Sequence, residues 1–247
     1  MDPARWLRRF RPAPPAARRL VCFPHAGGSA SFYHPLALAH APATDVIVLQ
    51  YPGRQDRMAE PGIRTVDEYA GRIAEILAAE PARPTVYFGH SMGAAIAFEV
   101  AHRLAGTPAA PDRLVVSGRR APSIERTEQV HRRDDAGVLA EVKRLNGTDA
   151  AALELDELLQ LVLPAIRSDY QAIETHPPRP GVTVGCPVSA LIGDADPTST
   201  VAEADRWREH TTAEFRLRVF PGGHFYLTEH APAVNAELAA ELAKLTG

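Results

Sequence analysis

The segment Gly89-His90-Ser91-Met92-Gly93 lies between the apolar, β-branched run Thr85-Val86-Tyr87-Phe88 and the helix-forming stretch Ala94 to Ala101, which puts a serine at the apex of a strand-to-helix turn. The pentapeptide alone arises by chance in many chains, and its place between a strand and a helix is what gives it weight. So sharp a turn drives its central residue into a sparsely populated backbone conformation, and the positions two before and two after must be small enough for strand and helix to approach. Gly89 and Gly93 meet that condition, and the arrangement is a nucleophile elbow with Ser91 as candidate nucleophile. The plainer role for Ser91, a helix N-cap, explains neither the strand before it nor the long apolar helix after it.

The rest of the chain supplies a sheet to hold such a turn. Apolar runs recur at Leu20 to Phe23, Val46 to Tyr51, Leu114 to Ser117, Pro187 to Ile192 and Phe215 to Phe220. Helical spacing recurs at Val66 to Ala79, Ala94 to Leu104, Val201 to His210 and Ala233 to Leu245, with Thr65 as an N-cap for the first. Continuous strands alternating with helices predict a mostly parallel sheet covered on both faces, a doubly wound α/β domain. At 247 residues the chain suits one such domain, 1–247. About 70 residues separate Ser117 from Pro187, more than one crossover helix needs. Helical patterns at Asp134 to Leu145, Leu155 to Leu163 and Ala165 to Thr175 fill that stretch, so residues 120–184 read as a helical insertion serving as a lid. Asn146-Gly147 and Pro164 predict breaks or hinges within it.

Several functional classes are excluded. The net charge is −3, and the basic residues are spread along the chain, leaving no electrostatic footprint for nucleic acid. No apolar run reaches membrane-spanning length, and the first twenty residues lack the apolar core of a signal peptide. A cytoplasmic monomer without a membrane partner is the expectation. The N-terminal arginines with Trp6 and Phe10 read as a packed arm. Cys22 and Cys186 sit in or beside strand-like runs and read as buried free thiols. No Cys/His cluster has ligand spacing, so neither metal nor cofactor is expected.

A serine hydroxyl is a weak nucleophile until an imidazole takes its proton, and the imidazole needs a carboxylate to fix its tautomer. The last strand candidate runs into Pro221-Gly222-Gly223-His224-Phe225, which makes His224 the candidate base, while His230 nearby reads as a surface residue. The strand before it leads into Gly193-Asp194-Ala195-Asp196-Pro197. Asp196 is favoured as the acid because it lies a turn beyond the strand, and Asp194 is left to the turn amides. The oxyanion requires two backbone donors, one from Met92 after the nucleophile and one from the loop after the first strand. That loop reads Phe23-Pro24-His25-Ala26-Gly27-Gly28-Ser29, placing Ala26 in the donor position. The double glycine also fits a tight turn or a phosphate cradle, but the Rossmann spacing and the Walker lysine are absent.

These segments, together with Tyr51-Pro52-Gly53-Arg54 and Leu163-Pro164-Ala165-Ile166-Arg167-Ser168-Asp169-Tyr170, resemble the type II thioesterases that accompany modular polyketide synthases and nonribosomal peptide synthetases. The likeness covers nearly the whole chain. It implies an α/β-hydrolase fold with a mobile helical lid, Ser91 as nucleophile, His224 as base, Asp196 as acid, and Ala26 and Met92 as oxyanion donors. It also implies an editing activity, the removal of short or aberrant acyl groups from the phosphopantetheine arm of acyl or peptidyl carrier proteins. Arg119, Arg120, Arg132, Arg133 and Arg167, in or beside the insertion, are candidates to meet an acidic carrier, although arginines on helices are ordinarily solvated. Tyr226 and Leu227, after His224-Phe225, depart from the family pattern, with no expected effect on catalysis.

Overall fold

The computed structural model describes residues 2–13, 16–125, 127–145 and 156–245. Seven strands form one sheet: β1 Leu7–Arg8, β2 Arg19–Phe23, β3 Asp45–Leu49, β4 Thr85–His90, β5 Arg113–Ser117, β6 Val188–Gly193 and β7 Phe215–Phe220. Their order is β1-β3-β2-β4-β5-β6-β7, with only β1 antiparallel to its neighbour. The six predicted strands are all present. β1 is additional, and at two residues it is too short to show a periodicity. It brings in Trp6, which is buried beneath the Arg57 guanidinium at 4.5 Å from the ring centroid, so the N-terminal segment is a packed arm.

Strands β2, β3, β4 and β6 are buried along their whole length, as expected of a parallel sheet covered on both faces. Helices α1 His34–His40 and α2 Val66–Ala78 follow β2 and β3, and α3 Met92–Arg103 follows β4. Val21 and Phe23 point into a core shared with α2, α3 and Trp207, while Leu20 and Cys22 point into one shared with α1 and the C-terminal helix α8, Ala231–Ala243. Alternation along one strand thus fills two layers. Thr65 caps α2 through its side chain, accepting from Glu68 N at 3.2 Å. Cys22 and Cys186 are both free. No helix among the described residues is long and apolar enough to cross a membrane.

Between β5 and β6 lie α4, Asp135–Arg144, and α5, Asp156–Glu174. Asp134 caps α4, accepting from Gly137 N at 2.8 Å. Asn146-Gly147 falls outside the described residues. The helical patterns read on either side of Pro164 form a single helix: α5 runs through Pro164. The lost amide donor costs about 3 kcal/mol in a helix interior, but Leu163, Ala165, Ile166, Tyr170, Ala172 and Ile173 are all buried along this helix, and their packing overrides it. The insertion has a core of its own, in which Val130, Val138 and Val142 meet Leu163, Ile166 and Tyr170, with Ala26 packed against it. At its far end the Glu174 carboxylate accepts from the amides of Val130 and His131.

Candidate active site

The carboxyl ends of β2, β4, β6 and β7 converge on one cleft, and each delivers a predicted residue. Ser91 stands between β4 and α3 at φ 55°, ψ −117°, a conformation that costs on the order of 1–3 kcal/mol for a residue other than glycine. The surroundings hold it there: Ser91 N donates to Ser117 O at 2.8 Å. A Cβ on Gly93 would stand 1.9 Å from Phe23 O, and one on Gly89 would stand 2.3 Å from Gly93 O, so these two positions admit no side chain while the turn keeps its shape. Strain at the serine and close approach around it are two consequences of one steric arrangement.

His224 lies in the loop between β7 and the one-turn helix α7, Tyr226–Glu229, and is almost wholly buried. Its Nδ1 is 2.8 Å from Asp196 Oδ2. A carboxylate only accepts, so Nδ1 carries the proton and Nε2 is left as the acceptor. The other Asp196 oxygen, Oδ1, accepts from Thr198 N and Thr198 Oγ1, both at 2.8 Å. Three donors therefore orient the Asp196 carboxylate. Asp194 does not reach this site. Its Oδ1 accepts from Gly222 N at 2.9 Å, which ties the acid loop to the histidine loop. Directly after the acid loop, Thr200 and Glu203 form a capping box at the start of α6, Val201–Asp205, which anchors that loop. His230 contacts Pro221 O and lies apart from the cleft.

Two further histidines stand near His224. The His90 ring is 4.9 Å from it, and the His25 ring is 5.9 Å from His90. Burial, reinforced by the charge of His224 and then Arg54, pushes His25 down to about 3. Burial and the same His224 charge push His90 well below the ordinary range. Both are therefore neutral at neutral pH. His90 Nδ1 hydrogen-bonds Ser117 Oγ at 2.9 Å, and that hydroxyl meets Tyr226 Oη at 2.7 Å. Tyr226 thus belongs to a buried chain beneath the site. Of the three histidines, only His224 has a carboxylate partner.

The cleft opens to solvent; Ser91, His224 and Ala26 line it, opposite Glu141, Tyr170 and Ile173 of the insertion. The Ala26 amide makes no hydrogen bond to a described residue. Met92 is the first residue of α3, where an amide has no intrahelical acceptor. Both predicted donors are thus uncommitted or at a helix start, as an oxyanion would require. Sequence reasoning misses Glu141. Hydrogen bonds from Arg144 lead the effects that hold its carboxyl below the usual range, with Arg133 also paired to it. It also misses Thr198, though a spacing of two after Asp196 is that of an Asx turn. The insertion arginines have local partners: Arg120 donates to Glu128 and Thr198 O, Arg132 to Gln129, Arg133 to Glu141, and Arg167 to His131 O, Arg133 O and Asp135.

A mostly parallel sheet, a strained serine between strand and helix, and an acid and a histidine from the last two strands define an α/β-hydrolase. The chain belongs to the thioesterase domain family, whose model matches residues 18–242. It is 56% identical over 239 residues to the "Probable cadicidin biosynthesis thioesterase" of Streptomyces griseus, covering 97% of this chain and 66% of that protein. It thus spans about two-thirds of that relative. With the thioesterase PikA5 of Streptomyces venezuelae it shares 49% identity over 93% of this chain and 82% of the relative. The structure of the type II thioesterase BorB from the borrelidin biosynthetic cluster superposes with a TM-score of 0.89 at 47% identity, covering 96% of this chain and 98% of that one. Family membership supports a hydrolase acting on thioesters.

Proposed function

We propose that this chain is a stand-alone editing thioesterase that removes short or aberrant acyl groups from the phosphopantetheine arm of acyl or peptidyl carrier proteins. The observation that carries the reading is the His224–Asp196 pair beside a serine held at positive φ, in a chain whose relatives include thioesterases of natural-product biosynthesis. Ser91 Oγ attacks the thioester carbonyl as its proton passes to His224 Nε2, and the Asp196 carboxylate stabilises the imidazolium. The amides of Ala26 and Met92 receive the negative charge on the carbonyl oxygen. His224 returns the proton to the departing sulfur, releasing the carrier thiol and leaving an acyl-Ser91 ester. Water, deprotonated by His224, then attacks the ester, giving the free acid and restoring the serine. A thiol with a pKa of about 8.5 is an easy leaving group, so little is asked of the general acid. In this reading the helical insertion covers the cleft and its inner wall bounds the acyl chain.

The test is release of acetyl and propionyl groups from a phosphopantetheinylated carrier protein by wild type and Ser91→Ala, beside hydrolysis of oxygen esters of the same acids. Release by wild type alone supports the reading. A strong preference for the oxygen ester would point instead to a general carboxylesterase on this fold, and failure of a fluorophosphonate to label Ser91 would point to a non-catalytic carrier-binding protein.

A further inference from the structure

The insertion meets the rest of the domain at a carboxylate of the Leu163 to Tyr170 segment to which the proposed chemistry gives no role. Asp169, on α5, is wholly buried and accepts hydrogen bonds from three separate parts of the chain. Its Oδ2 takes Gly27 N at 2.8 Å and Arg54 Nη2 at 2.7 Å, and its Oδ1 takes Tyr69 Oη at 2.7 Å. Arg54 depends on this contact. Its Nε and Nη1 are buried without a hydrogen-bond partner among the described residues, and although burial works against its charge, the Asp169 carboxylate, with Tyr69 and Tyr51, more than offsets that and leaves it raised.

The Gly27 contact bears on catalysis. The N–H of Gly27 belongs to the peptide plane that joins it to Ala26, and only the two dihedrals of Ala26 separate that plane from the Ala26 amide, so holding the Gly27 N–H restrains where the Ala26 amide points. One turn before Asp169, Ile166 presses on the same residue. Gly27 has φ +73°, and a Cβ there would stand 2.8 Å from Ile166 Cγ1. Helix α5 thus holds Gly27 from two sides, by the Ile166 side chain and by the Asp169 carboxylate, while Gly28 N closes the loop onto His25 O at 2.9 Å.

We propose that Asp169 is a positioning residue for the oxyanion hole: through Gly27 it aims the Ala26 amide, so that correct seating of α5 is a condition of turnover. The inference rests on the proposed reaction, in which Ala26 is one of the two oxyanion donors. An interaction made only in the transition state lowers kcat when lost and leaves KM alone, whereas a purely structural contact affects stability without that split.

The experiment compares Asp169→Ala, Ile166→Ala and Tyr69→Phe with wild type in kcat and KM for acyl-carrier hydrolysis, in melting temperature, and in affinity for an alkyl boronic acid that forms a tetrahedral adduct on Ser91. Asp169→Ala leaves Gly27 N without its acceptor and is expected to lower kcat by about 10- to 100-fold, to weaken the boronic acid by a similar factor and to leave KM within about twofold. Tyr69→Phe removes only the Oδ1 donor and is expected to lower the melting temperature while kcat stays within about twofold. Unchanged kcat in folded Asp169→Ala overturns the proposal, as does an equal loss of kcat in Tyr69→Phe. Should Asp169→Ala fail to fold, Ile166→Ala decides: a fall in kcat and in boronic acid affinity at constant KM supports the proposal, and unchanged kcat overturns it. A wild type that neither releases acyl groups nor binds the boronic acid marks failure of the proposed reaction itself, and this inference falls with it.

Discussion

Replacing Asp196 by Asn changes one oxygen to an amide nitrogen at nearly constant shape, and the structure dictates which way the new side chain will face. Oδ1 accepts two donors, Thr198 N and Thr198 Oγ1, while Oδ2 faces only His224 Nδ1. The asparagine oxygen therefore stays with Thr198, and its NH2 group points at Nδ1. An amide NH2 only donates, so Nδ1 must become the acceptor and the imidazole proton moves to Nε2, where it blocks acceptance of the Ser91 proton. Flipping the amide restores the useful tautomer but leaves the half-buried Thr198 N–H facing a second donor, at a cost of about 1–3 kcal/mol. The productive form is then disfavoured about 5- to 150-fold. Loss of the charge that stabilised the imidazolium removes a further 1–2 kcal/mol or so, the difference between a charged and a neutral hydrogen bond. Together these predict a fall in kcat of about 30- to 5000-fold, whose upper end approaches the wrong-tautomer effect in serine triads generally. Asp194→Asn keeps an oxygen for Gly222 N and is expected to stay within about threefold of wild type. Both variants are assayed by acyl release from a carrier protein and by the rate of fluorophosphonate labelling. Retention of kcat within tenfold in Asp196→Asn, or an equal loss in Asp194→Asn, would refute the reasoning.

Gly93→Ala places a methyl group 1.9 Å from Phe23 O and 2.7 Å from Pro24 O; because both atoms are backbone, it is expected to destabilise the fold by at least the upper end of the overpacking range, about 3 kcal/mol. Denaturant midpoints check this, and a change below 1 kcal/mol would mean that the turn relaxes freely. The buried His25, held down to about 3, gives a pH effect of known sign. Between its ordinary value near 6.5 and about 3 the unfolded chain binds a proton that the folded chain refuses, so stability present above pH 6.5 is lost as pH falls, at up to about 1.4 kcal/mol per pH unit. His25→Gln is expected to flatten the slope of unfolding free energy against pH in that window by up to one proton, and an unchanged slope counts against a neutral buried His25.

What can be read from the sequence is local. Ser91, His224 and Asp196 each lie within a few residues of a strand end, and their glycine or carboxylate neighbours mark them before any long-range contact is known. The preference for Asp196 over Asp194 follows from position alone, and the structure gives its physical basis: Asp196 is within hydrogen-bond distance of His224, while Asp194 spans the two loops. β1 escapes notice because two residues cannot display a period. Dividing α5 at Pro164 follows from a residue that breaks isolated helices, and it fails because the side chains buried from Leu163 to Ile173 favour continuing the helix. Asp169 lies at the other limit. Its partner Gly27 is 142 positions away, and neither the loop containing Gly27 nor the helix containing Asp169 carries a local mark of the other. Both fall in segments that carry the family resemblance, yet nothing in either says that the two meet until the fold shows three donors converging on Asp169. Motifs therefore locate the groups proposed to make and break bonds, whereas the contact proposed to aim one of the candidate oxyanion donors emerges only in three dimensions.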